Sequence, residues 1–358
     1  MTGLTKGGTV DYAVLGWFRF LLAAMVALGH ARGIFDVFGR WFNPGSVAVF
    51  MFFTVSGYVV VAALESFYAR RYVQFLANRL LRLYPTYMLS YLASVLVLLA
   101  LGVTTLHPWP VQNISVAGLD VATFLAGLSL LGGYFDADAF NPNSPAWSIV
   151  VEVVFYLLAG GWLLAMPRVP VAKALSILAV LTLALFVANV FFGIRSGTAN
   201  IFLFSPFFIL GGSIYRLASG AGRLGATILA LAGFVFAQVY ILRVDGYTIT
   251  GFLAAPDAVG NGIVFSILFA IFLFGLRLKV GKTLRAIDKV VGNLTYPLYL
   301  VHVPLLAVLW SVFEPRTGLL WLGLSFTLCT LAAYLLHLIA EVPFESMRER
   351  NRGASLND

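Results

Sequence analysis

Apolar runs of about 20 residues recur from one end of this chain to the other, each long enough to cross the hydrocarbon core of a bilayer as a helix. In hydrocarbon every backbone N–H and C=O must find its partner inside the protein, so only helices or a closed barrel can span. Barrel strands would alternate apolar and polar residues over roughly ten positions; these runs do not alternate. The sequence therefore predicts an all-α polytopic membrane protein with about ten spans, near residues 12–32, 45–66, 83–104, 145–166, 171–192, 198–217, 224–243, 258–278, 290–312 and 317–340. A composition of 61% hydrophobic and 11% charged residues agrees. Arg19 interrupts the first run, so no cleavable signal peptide is expected. The single cysteine, Cys329, excludes an intramolecular disulfide and a metal–thiolate cluster, and no metal site is expected.

The net charge of +8 follows the membrane rather than a nucleic acid. With a cytoplasmic N-terminus, the inner segments collect Arg70, Arg71, Arg79, Arg82, the basic group from Arg277 to Lys289, and Arg348, Arg350 and Arg352. The outer ones hold only Arg32, Arg40, Arg195, Arg243 and Arg316. That asymmetry fits the positive-inside rule, places both termini in the cytoplasm, and makes the anionic leaflet of the lipid bilayer the main electrostatic partner. Counting residues 119–134 as a crossing would invert every later loop. Residues 105–144 are therefore read as an outward-facing excursion between spans 3 and 4, with 119–134 lying on or dipping into the membrane. Residues 1–345 form the integral-membrane domain and 346–358 a cytoplasmic tail. No internal repeat is visible.

Arg19 and His30 lie in the first span, eleven residues apart, on one face and roughly 16 Å apart along the axis. A charge at that depth costs at least a few kcal/mol and marks a functional position. Ala23 and Ala27 between them leave room for a ligand or another helix. Glu152 enters the fourth span from outside to about the depth of His30, which predicts a Glu–His hydrogen bond of the kind a general base needs; pairing with Arg19 is the structural alternative. Ser148, Glu152 and Tyr156 recur at i, i+4 and i+8, with Trp147 beside them. Phe67 to Leu83 reads as an interfacial amphipathic helix, with Tyr68, Tyr72, Phe75, Leu76, Leu80 and Leu83 on its apolar face. Its Arg79 and Arg82 are spaced to chelate a phosphate, although the positive-inside rule also predicts arginines there. In the ninth span Thr295, Tyr299 and His302 share a face beside the Tyr296-Pro297 break, as either a polar path or packed residues. Ser56 and Gly57 fit small-residue helix packing. His107 and His337 read as ordinary.

Taken in order, Arg19-(ten residues)-His30, Phe52-Phe53-Thr54-Val55-Ser56-Gly57-Tyr58, Arg79-Leu80-Leu81-Arg82 with Tyr84-Pro85, Pro145-Ala146-Trp147-Ser148 with Glu152, Phe155 and Tyr156, and Tyr296-Pro297-Leu298-Tyr299-Leu300-Val301-His302 resemble the membrane-bound acyltransferase-3 family. That family O-acylates extracytoplasmic glycans, and the resemblance covers nearly the whole chain. It implies a multi-pass protein of the bacterial inner membrane. Acyl-CoA, acetyl-CoA or succinyl-CoA, would enter from the cytoplasm as cosubstrate, with no permanently bound cofactor. The hydroxyl of an extracytoplasmic or lipid-linked glycan, such as an exopolysaccharide, would accept on the outer side.

The resemblance further implies that Arg79 and Arg82, with Arg19 and Tyr84, bind the donor, and that Arg19 and His30 belong to the active site. In the expected mechanism His30, oriented by Glu152, deprotonates the hydroxyl while Arg19 holds the pantetheine or the developing oxyanion; an acyl-histidine intermediate is the competing version. Ser56, Trp147, Ser148, Tyr156, Tyr299 and His302 would line or support the tunnel. A fused hydrolase-like domain of the kind longer members carry is not expected from this sequence. Acceptor recognition would then fall to the outer loops, through Trp109, Tyr134, Asp136, Asp138 and Asn141. A proton-coupled or anion transporter is the rival reading, since intramembrane Arg, Glu and His would serve it too. Carriers usually show internal repeats.

Overall fold

The structure is a computed structural model that describes residues 14–31, 41–100, 119–130, 143–192, 201–220, 222–245, 257–313 and 318–352. Trp109, Tyr134, Asp136, Asp138, Asn141 and His107 lie outside the described residues. The helices are α1 (Leu15–His30), α2 (Pro44–Ser66), α3 (Tyr72–Ala100), α4 (Val121–Leu128), α5 (Trp147–Ala165), α6 (Val171–Phe192), α7 (Ser205–Ser219), α8 (Arg223–Val239), α9 (Asp257–Gly275), α10 (Lys282–Val312), α11 (Leu319–Ala340) and α12 (Val342–Arg352). Among the described residues there is no strand. Among the described residues, nine helical stretches are long and apolar enough to cross a membrane, and α1, at 16 residues, is a shorter apolar helix.

Helix α2 is the hub. Its start is fixed by Asn43, whose side chain accepts from Gly45 N (3.0 Å) and Ser46 N (3.2 Å), followed by Pro44 at the first helical position, where a missing N–H costs nothing. Apolar on all sides, it is buried along most of its length, as a helix at the centre of a bundle must be. Helix α7 lies against it at backbone distance. A side chain on Gly211 would run into the carbonyl of Thr54, and one on Gly57 into the backbone of Phe208. Small residues let helices approach this closely in a bilayer. Gly211→Val should therefore cost about 1–3 kcal/mol of stability, whereas Gly323→Ala, where a side chain would meet open space, should not. Thermal unfolding in detergent checks this; equal melting of the two variants contradicts the packing.

Helix α1 lies between α2 and α10. Its first turn has no cap of its own; instead Asp288 of α10 accepts from Gly16 N (3.1 Å) and Trp17 N (2.8 Å), a carboxylate at the positive end of a helix. Ala23 and Ala27 are buried. Ala23 packs in a cluster with Leu298 and Leu306 of α10, so the room left by the small residue is filled there by another helix.

Three boundaries differ from the sequence reading. The expected interfacial helix 67–83 and third span are one 29-residue helix, α3, continuing through Pro85. One buried stripe (Tyr72, Phe75, Leu83, Tyr87, Tyr91, Val95, Leu98) runs through both segments at helical period, so tertiary packing outweighs the proline. Leu80, expected on the apolar face, is 46% exposed and faces outward. The ninth span likewise begins eight residues early, in the 31-residue α10, which contains Pro297 and Pro304. Most of the polar tail is helical, as α12, packed on α3 and α11.

Residues 121–128 form an eight-residue helix, too short to span. Asp120 caps it, accepting from Thr123 N at 2.7 Å. Tyr91 donates to Phe124 O (3.2 Å), Tyr87 to Gly127 O (2.5 Å) and Tyr84 to Leu128 O (3.2 Å). Helix α4 thus hangs antiparallel along the middle of α3, its C-terminal carbonyls satisfied by a tyrosine ladder.

Candidate active site

Two adjoining cavities hold most of the residues singled out from the sequence. The larger, about 390 Å³, lies where the basic ends of α1, α3 and α10 meet α12. Arg19, Asn78, Arg79, Arg82, Asp288, Lys289, Tyr296, Glu341 and Arg348 supply its polar lining. The smaller, about 70 Å³, leads inward from it and shares Arg19, Val59, Arg79, Arg82 and Tyr296; Ser56, Ser148, Glu152, Tyr156, Thr295 and Tyr299 line the rest. Basic at one end and populated by hydroxyls and one carboxylate at the other, the pair forms a polar path inside an apolar bundle.

The carboxylate of Glu152 is held tightly. Its Oε1 accepts from Ser56 Oγ at 2.5 Å and from the hydroxyl of Tyr156. Those two hydroxyls are 3.3 Å apart. Tyr156 also stands one helical turn from Glu152, so the i, i+4 spacing forms the contact directly. Its ring carries the guanidinium of Arg79, 5.4 Å from the centroid and 5.3 Å from that of Phe75, a stacking arginine favours. The inner wall is formed by Tyr299 and Ser148, whose hydroxyls are 2.6 Å apart; Tyr299 also donates to Pro145 O at 3.0 Å.

Beyond Tyr299 stands a histidine pair. His302 Nδ1 lies 3.1 Å from Leu298 O, its Nε2 3.1 Å from His30 Nδ1, and His30 Nδ1 3.0 Å from Val26 O. A carbonyl only accepts, so both Nδ1 atoms carry the proton, and the one Nδ1–H of His30 is shared between Val26 O and His302 Nε2. His30 Nε2 is then the unprotonated nitrogen, and it has no hydrogen-bond partner among the described residues. The rings are 5.1 Å apart, and Tyr299 packs 5.9 Å from His302.

This geometry corrects the expected Glu152–His30 hydrogen bond. Glu152 points into the cavity, where Ser56 of α2 and Tyr156 hold it, and His302 takes the place beside the imidazole. Tyr84 is displaced too: its hydroxyl serves α4, it is 36% exposed, and it lines neither cavity. Trp147 is a packing residue, ringed by Phe53 at 6.2 Å and Phe204 at 5.5 Å. Arg19, Ser56, Arg79, Arg82, Ser148, Glu152, Tyr156 and Tyr299 come together at the cavities, and His30 and His302 join each other behind them. Sequence reasoning missed Asp288, Glu341 and Arg348. Their spacing within α10 and the tail carries no signal until those segments fold onto α1 and α3. His337, read as ordinary, holds Glu341 Oε2 at 2.6 Å.

The acyltransferase-3 family model, described as an acyltransferase domain, matches residues 12–338, which include every residue of the path except Glu341 and Arg348. No curated protein and no solved structure matches the chain.

Proposed function

The chain belongs to the acyltransferase-3 family, and from that premise we propose that it moves an acyl group from acyl-CoA at the arginine end of the path to a glycan hydroxyl at the histidine end. The observation that carries the reading is the path itself. A cation-rich cavity opens into a narrow polar one that ends at Tyr299, one ring away from an imidazole whose Nε2 has no partner among the described residues. Coenzyme A matches that order of chemistry, with phosphates at one end, two amides along the pantetheine arm and the thioester at the other. The arginine end is the cytoplasmic one by charge distribution, so the donor enters from the cytoplasm and the acceptor, an extracytoplasmic or lipid-linked glycan of a bacterial surface, meets it on the other side. The rival carrier reading finds no support in the family match.

In this mechanism Arg79 and Arg82 hold donor phosphates by charge-assisted hydrogen bonds. Arg19, one helical turn inside α1, sits where both cavities join and steadies the pantetheine arm. Swinging of the Tyr299 ring opens the last step to His30. His30 Nε2 then takes the proton of the acceptor hydroxyl, whose oxygen attacks the thioester carbonyl. The new ester C–O bond forms, the C–S bond breaks, and the proton passes from His30 to the departing thiolate. His302 and Val26 O share the Nδ1–H of His30 and so keep its Nε2 unprotonated, the orienting role an acid plays beside a catalytic histidine elsewhere.

Two variants test His302 in that role. His302→Leu should lower kcat by at least about tenfold with little change in KM, whereas His302→Gln, which still presents an acceptor oxygen, should recover part of the loss. The transfer of labelled acetyl from acetyl-CoA by purified protein reads this out; equal kcat in both variants would remove His302 from the mechanism. The reaction itself is tested by incubating purified protein with labelled acetyl-CoA and surface glycan. Ester-linked label on the glycan is the expected product, and its absence from every glycan of the producing cell, with the protein folded, would sink the reading.

A further inference from the structure

We propose that the C-terminal helix is part of the donor site, and that Arg348 supplies a third guanidinium for the phosphates of acyl-CoA; the inference rests on the donor reading above. Helix α12 packs on α3. Arg71 ties it there, donating to Asn351 O at 3.2 Å, and the exposed Lys289–Glu345 pair at 3.6 Å links it to α10. This docking turns Arg348 into the cavity that Arg79 and Arg82 line.

The charges around that cavity do not balance internally. Both carboxylate oxygens of Asp288 are taken by the amides of Gly16 and Trp17, Glu341 is held by His337, and Lys289 has Glu345. Arg79, Arg82 and Arg348 have no ion pair within 4.0 Å among the described residues. The Nε of Arg348 is buried without a hydrogen-bond partner, as is Oδ1 of Asn78 beside it in the lining. Burial, and after it repulsion from Arg82, pushes the Arg348 guanidinium below its ordinary pKa, with Glu341 and Glu345 offsetting only part of the shift. Four guanidiniums, those of Arg19, Arg79, Arg82 and Arg348, line one half-enclosed cavity and repel one another, and a bound polyanion offsets that cost. Coenzyme A carries such a polyanion: a diphosphate and a separate ribose phosphate. A cavity read as an arginine pair for one phosphate group becomes, with α12, a three-arginine site matched to two.

The test is equilibrium binding of coenzyme A, and separately of phosphate-free acetyl-pantetheine, to the purified full-length protein in detergent. Arg348→Ala should weaken coenzyme A by about tenfold, the scale of one lost charge-assisted contact, and leave acetyl-pantetheine unchanged. Arg350→Ala, whose Nε donates to Ser346 O of its own helix and to no other group among the described residues, should bind both like the wild type. Should Arg348→Ala fail to fold, Arg348→Gln, neutral but of similar length, carries the same expectation. Unchanged coenzyme A affinity, or an equal loss for both ligands, overturns the inference while leaving the donor reading intact. If the wild-type protein binds no coenzyme A at all, the donor reading falls first and the inference with it.

Discussion

Replacing His30 by alanine should lower acyl transfer by about 100- to 10,000-fold, the range a positioned general base contributes, with affinity for acyl-CoA unchanged. The split follows from where His30 sits. It lines neither cavity, so it makes no ground-state contact with a donor lodged there, and its removal strikes the chemical step alone. The space left is small and lies beside His302, so the bundle should remain folded; thermal unfolding of the variant checks this. Near-normal turnover in folded His30→Ala protein would exclude both the general-base and the acyl-histidine mechanisms, since each needs the same nitrogen.

The second large effect is expected at the other end of the path. Arg79→Ala/Arg82→Ala should raise KM for acyl-CoA, and the dissociation constant of coenzyme A, by about 100-fold. Charge-assisted hydrogen bonds contribute roughly 1.5–3 kcal/mol each, and two such losses span two decades or more. Arg79 also stacks on Phe75 and Tyr156, and Tyr156 holds Glu152, so the Arg79 component should carry a further loss in kcat. Arg82→Ala alone, with no such stack, should raise KM and leave kcat within about threefold. Isothermal titration and steady-state kinetics separate the two; unchanged affinity in the folded double variant would detach the arginines from the donor.

These expectations rest on elements that were unequally legible in the sequence. The spanning segments are visible because the membrane demands about 20 apolar residues per helix, and Arg19, Glu152 and His302 stand out because charge and imidazole are costly at that depth. The i, i+4 contact of Glu152 with Tyr156 could be read within one helix. Partnerships between helices could not. His30 and His302 are 272 positions apart, and depth alone pointed His30 to Glu152. Their meeting depends on how α10 crosses α1, which small residues such as Gly16, Gly292 and Ala23 permit but do not announce. The same reason hid Arg348. In the sequence it is one of several basic residues in a polar tail, and only the docking of α12 on α3 brings it beside Arg82. The boundary expected at residue 83 misled for a local reason: Arg79 and Arg82 set the first segment apart from the apolar run that follows, yet the stripe on either side keeps one phase and buries as one face.

The central claim is that a single polar path carries an acyl group from the arginine end of the bundle to the histidine end. Proteoliposomes sorted for one protein orientation test it directly, with labelled acetyl-CoA enclosed on one side and the glycan acceptor on the other. Label should reach the acceptor only when acetyl-CoA faces the arginine end and the acceptor the opposite end, and His30→Ala should abolish it. Labelling that requires donor and acceptor on the same face would contradict a path through the membrane.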